Sequence, residues 1–128
     1  MISYIHSTTI VVADQEAALD FYVNKLGWSK AIDSQMGPEM RFLTVVPPGG
    51  QTQLVIGKPS WFTEQGQMPG KSGITFITPD IEATVETLTQ RGVKFKGEIQ
   101  DMPWGGKAIW FYDLDDNEFF LTTETTAP

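Results

Sequence analysis

Asp14-Gln15-Glu16-Ala17, closed downstream by Lys25-Leu26-Gly27-Trp28, is repeated as Asp80-Ile81-Glu82-Ala83, closed by Gln90-Arg91-Gly92-Val93. The aspartates lie 66 positions apart and the glycines 65, so the copies match with a one-residue slip. Each copy follows a β-rich run, Thr8-Thr9-Ile10-Val11-Val12 or Ile74-Thr75-Phe76-Ile77-Thr78. Two copies are too few for a solenoid, whose stacked units need about three or more. They suit a pseudo-symmetric domain with a pocket between its halves.

Working outward from the repeat, Ile5 to Val12 is rich in β-branched residues and predicts a strand. Asp14 suits a helix N-cap, and Glu16 in the first turn is favoured by the helix dipole. Ala17, Phe21, Tyr22 and Leu26 fall at helical spacing, with Gly27 fit to end the helix. Short strands are expected at 29–33, 40–46 and 53–56, with Pro47-Pro48-Gly49-Gly50 turning between the last two. A linker, about 58–72, holds Pro59, Gly66, Pro69 and Gly70. The second half repeats the order: strand 73–78, helix from Asp80 to about Arg91 ended by Gly92, and strands near 94–99, 107–112 and 118–123. Asp113–Asn117 reads as a solvated polar turn. The expected fold is α+β: two tandem βαβββ modules, about 1–57 and 73–128, in one domain spanning 1–128. Their paired, mostly antiparallel sheets would surround a cup-shaped pocket.

Composition removes more functions than it suggests. A chain of 128 residues is one ordinary domain, able to bury roughly 65–70% of its unfolded surface. The absence of cysteine excludes disulfides, thiolate catalysis and sulfur-ligated zinc or iron. A single histidine, His6, excludes a site built on two imidazoles of one chain, and no Gly-x-Ser-x-Gly elbow accompanies it. The net charge of −7 argues against nucleic acid as a partner, since a basic face normally supplies that affinity. No apolar run reaches the ~18 residues of a membrane span, and no basic-then-apolar leader begins the chain. A soluble, cytoplasmic protein without membrane partners is expected.

Val12-Ala13-Asp14, then Ala17-Ala18, Asp20-Phe21-Tyr22 and Leu26-Gly27-Trp28 resemble the entry motif of the vicinal oxygen chelate superfamily. That group includes glyoxalase I, extradiol dioxygenases and the bleomycin resistance proteins. Asp113-Leu114-Asp115-Asp116-Asn117-Glu118-Phe119 resembles its closing Asp-Pro-Asp-Gly-Asn-x-Phe turn, with Leu114 for the proline and Asp116 for the glycine. The resemblance covers nearly the whole chain. It implies a homodimer and, in metal-dependent members, one divalent ion held by His, Gln or Glu. Carried onto this chain, the four ligand positions become Ser7, Gln53, Ile74 and Phe120. Two are hydrocarbon, and only Gln53 is a conventional ligand. His6 is one residue from the first position, and strand neighbours point to opposite faces, so it is expected to be structural or exposed. No metal and no cofactor is expected.

Other residues carry competing readings. Asp113, Asp115, Asn117 and Glu124 mimic EF-hand spacing, but Glu118 stands where that loop needs glycine. Trp104, beside Gly105-Gly106, reads as a pocket lid, a dimer contact or a packed loop residue. Trp110 lies in the aromatic strand Ile109-Trp110-Phe111-Tyr112. Trp61-Phe62 reads as packing or interface. Arg41 either lies at the surface or anchors a ligand carboxylate or phosphate through its fork. Nothing in the spacing of Glu39, Glu98 or Asp101 selects a general acid or base.

The sequence therefore favours a metal-independent protein that binds a small molecule, of the bleomycin resistance type, possessing a site for a cationic or aromatic compound. Ile74, Phe76 and Phe120 would form its apolar floor, Ser7 and Gln53 its orienting polar groups, with Trp104, Trp110 and Arg41 around it. The alternative is an isomerase, lyase or dioxygenase of the same superfamily, with a displaced metal site or metal-free acid/base chemistry.

Overall fold

The structure, a computed structural model, describes residues 1–58 and 71–123. They fall into two compact units, one on each side of segment 59–70. The first runs β1 (Ser7–Val11), α1 (Gln15–Asp20), β2 (Ser29–Gln35), β3 (Arg41–Val46) and β4 (Gln53–Gly57). The second runs β5 (Lys71–Ile77), α2 (Ile81–Gln90), β6 (Lys94–Asp101), β7 (Lys107–Tyr112) and β8 (Glu118–Thr122). Each is the expected βαβββ module. Trp61, Phe62 and Glu124 lie outside the described residues. No helix among those described is long and apolar enough to cross a membrane.

Both sheets have four strands in the same order, β1-β4-β3-β2 and β5-β8-β7-β6. The first strand of each module pairs parallel with the last, and the remaining pairs are antiparallel. The crossover follows from the helix, which carries the chain over one face and away from the first strand before the meander returns to it.

The helices start where the aspartates predict. Asp14 accepts from the amides of Glu16 and Ala17, and Asp80 accepts from Ala83. The C-terminal end of α1 is less simple. A π-helical turn, Phe21–Lys25, follows it directly, with the Leu26 amide donating to Phe21 O. Helical spacing does not reveal this turn, because its cause is packing. A widened turn lets the adjacent rings of Phe21 and Tyr22 both be buried, and Tyr22 also meets Trp28. Gly27, at φ 78°, then supplies the left-handed residue that ends the helix. Gln15, read only as part of the repeat, is a buried tie: its Nε2 donates to Arg41 O and Ile56 O.

Residues on one face of each sheet alternate into an apolar core beneath the helix. In the first unit these include Ile10, Leu43, Val45, Leu54 and Ile56. In the second, Phe111 stacks among Phe76, Phe95 and Phe119. Ile5, expected in β1, precedes the strand and is exposed.

The turn after β7 is not solvated as its composition suggests. Asp113 and Asn117 are buried. Asp113 Oδ1 accepts from the Asp115 and Asn117 amides, and Oδ2 accepts from Asn117 Nδ2. Its carboxylate is thus spent inside the turn, which closes the strand pair. Asp116 takes the left-handed conformation, φ 61°, at the position of the family's glycine; aspartate tolerates this better than most side chains.

Candidate functional site

The face of the second sheet opposite its helix is built from three rungs. Thr75, Phe120, Trp110 and Lys96 are register partners across all four strands. On neighbouring rungs lie Glu118 and Gln100. The bulge between Lys96 and Gln100, where Gly97 adopts φ 77°, keeps both on this face despite the extra residues. These side chains, with Gly73 and Ile74, line a cavity of about 430 Å³ within the second unit. The Phe120 ring packs against Trp110 at 4.7 Å and reaches Trp104 at 6.4 Å. Trp104 is 54% exposed.

The expected site residues therefore separate. Ile74, Trp110 and Phe120 come together at the cavity, and Trp104 touches it through Phe120. Phe76 does not: two residues along the strand from Ile74, it stacks on Phe111 and Phe119 in the core beneath the helix. Ser7 and Gln53 belong to the first unit, where they are register partners across the parallel pair. Gln53 Oε1 accepts from Thr44 Oγ1 at 2.7 Å, and that hydroxyl accepts from the Ile32 amide. His6 is exposed, near Tyr4.

Arg41 has its fork filled. Nε and Nη2 each donate to Asp33 at 2.8 Å, and Nη1 donates to Glu16. The repeat explains this contact. Glu16 and Glu82 stand in the first turns of the two helices, and each meets the cation that opens the third strand of its module, Arg41 or Lys107. Hydrogen bonds from Arg41 and then Lys30 hold the Asp33 carboxyl well below the usual carboxylate range; Asp33, then Glu16, pushes the Arg41 guanidinium up. A depressed carboxyl favours the folded state above its unfolded pKa of about 4 and loses that contribution as pH falls through the folded value. Asp33→Asn should therefore lower Tm slightly at neutral pH and flatten the Tm profile below about pH 4. Parallel acid profiles of variant and parent would contradict this.

The residue the sequence reading passed over is Glu118. It opens β8 as Gln53 opens β4, and the repeat's own glycine offset of 65 carries one onto the other. Its side chain is 13% exposed, and Lys96 Nζ stands 3.7 Å from its Oε2.

The donor set implied for a divalent ion does not fit one. Ile74 and Phe120 offer no donor atom, Gln53 is engaged by Thr44, and a catalytic site holds about three protein ligands. Among the described residues, no three of the His, Asp and Glu side chains gather in ligating distance.

Comparison with known proteins agrees with the fold. The profile of the Glyoxalase/Bleomycin resistance protein/Dioxygenase superfamily matches residues 4–121. The uncharacterized protein YetH of Bacillus subtilis (strain 168) is 39% identical over 121 residues, covering 94% of this chain and 98% of YetH. A crystal structure of a superfamily member from Sphaerobacter thermophilus DSM 20745 superposes with a TM-score of 0.91 at 54% identity, over 96% of this chain and 98% of that one. TnmS3, an antibiotic binding protein from Streptomyces sp. CB03234, gives a TM-score of 0.82 at 34% identity, over 97% and 98% of the two chains. Fold, internal repeat and sequence similarity together place this chain in the glyoxalase/bleomycin resistance protein/dioxygenase superfamily.

Proposed function

We propose that this chain binds a small, flat organic molecule on the open face of its second sheet, without a metal, and holds it unchanged. The observation that carries this reading is one cavity lined by both Trp110 and Phe120 together with a few polar side chains, Thr75, Lys96, Gln100 and Glu118. Its volume falls within the roughly 300–1,000 Å³ of small-molecule sites, and apolar walls with sparse polar groups are their usual chemistry. The misfit of the donor set to a divalent ion supports the metal-free part. The similarity to TnmS3, an antibiotic binding protein, supports an aromatic or cationic antibiotic-like compound and a sequestering role. A homodimer is part of the proposal, carried by the family resemblance.

Chelator-treated protein titrated with acridine, followed by tryptophan fluorescence and calorimetry, should bind saturably. Adding nickel, cobalt, zinc, manganese or iron(II) should leave the affinity unchanged. Light scattering on the same sample should give twice the chain mass. Binding that appears only with a metal would overturn the metal-free part, and conversion of a bound compound would favour an enzyme.

A further inference from the structure

We infer that Glu118 is the selectivity group of the second-sheet cavity, and that the ligand it selects is a planar aromatic cation. The inference rests on the binding reading above and adds the charge of the ligand to it. The two modules differ at the equivalent position: Gln53 is a neutral amide whose oxygen accepts from Thr44, whereas Glu118 is a carboxylate. Its ion-pair partner does not satisfy it. Lys96 Nζ is 3.7 Å from Oε2, beyond hydrogen-bond distance, and the lysine side chain is 58% exposed against 13% for Glu118.

That asymmetry decides which charge the cavity presents. The ammonium is held in water, where its field is screened, while the carboxylate is shielded beside two aromatic rings and is screened far less. Thr75 and Gln100, the other polar lining groups, are neutral. A flat cation would set its rings on Trp110 and Phe120 and its charge at Glu118, combining ion pairing with cation–π attraction in a partly dry site. Displacing Lys96 into solvent costs little, because an exposed, loose pair contributes little. Lys96 is thus a weak competitor for the position the ligand's charge would take.

N-methylacridinium and acridine share one ring system, and acridine is uncharged at mildly alkaline pH. Calorimetry there should show the cation bound about tenfold more tightly than the neutral ring. Glu118→Gln should erase that preference, bringing the affinities for the two probes to within about twofold of each other, with circular dichroism and Tm on the same sample showing that the variant is folded. Lys96→Met should tighten N-methylacridinium a few-fold and widen its preference over acridine. Equal binding of both probes, a preference that survives Glu118→Gln, or a cation weakened by Lys96→Met would overturn the inference and leave the binding reading standing. Failure of both probes to bind would overturn the two together.

Discussion

Phe111→Ala should destabilise the protein by about 3–5 kcal/mol, the range for emptying a phenylalanine site in a packed core. Phe111 is 2% exposed, and its ring touches Phe76, Phe95 and Phe119. Those neighbours sit on three different strands, so they cannot all move into the vacancy without breaking register. The variant therefore loses the transfer energy of the ring and keeps most of the cavity. For a domain of this size the loss corresponds to a Tm lower by roughly 10–20 °C. Urea unfolding followed by circular dichroism measures it directly, and a cost below about 1 kcal/mol would mean that the core relaxes far more than rings in three strands should permit.

Trp110→Ala, one residue away, should do the reverse: weaken ligand binding strongly and cost the fold much less. Adjacent strand residues point to opposite faces, and Trp110 is only half-buried, on the cavity side. Buried aromatic anchors are typically worth about 2 kcal/mol or more when truncated in a binding site, or about thirty-fold in affinity. Calorimetric titration with acridine reads that loss, and the Phe111 variant provides the comparison. If Trp110→Ala bound acridine like the parent, the second-sheet cavity would not be the binding site.

The parts of the fold legible in the sequence are those written locally. Asp14 and Asp80 announce the helix starts through a hydrogen bond to amides two or three residues on, and Gly27 and Gly92 announce the ends. The repeat then supplies the architecture. The site was less legible because it depends on strand parity, where one residue exchanges faces. Phe76 and Ile74 lie in the same strand, yet only Ile74 borders the cavity; the irregularity between Lys71 and Thr75, with Gly73 at φ 72°, disturbs the simple alternation. Glu118 was hidden for another reason. In the sequence it stands out only as a misfit in a calcium-like loop, although the offset of the repeat already pairs it with Gln53. Arg41 reads first as a surface residue and second as an anchor until Asp33 and Glu16, 8 and 25 positions away, fill its fork. Gln15 and the π-helical turn are tertiary effects with no local signature.

The parallel closure of each sheet also sets the order in which the chain can assemble. The hairpins β2–β3 and β6–β7 join strands close in sequence, and hairpins form within about microseconds. The first strand of each module has no such neighbour. It must wait for the last, as when Ser72 Oγ meets Glu118 O across 46 positions. Such non-local pairing slows folding, because the loop entropy is lost before the contact is gained. On the ribosome, β1 emerges first yet is left with an unsatisfied edge until β4 has been made, and β5 waits likewise for β8. The half-finished module with its open strand is the species most exposed to pairing with another chain.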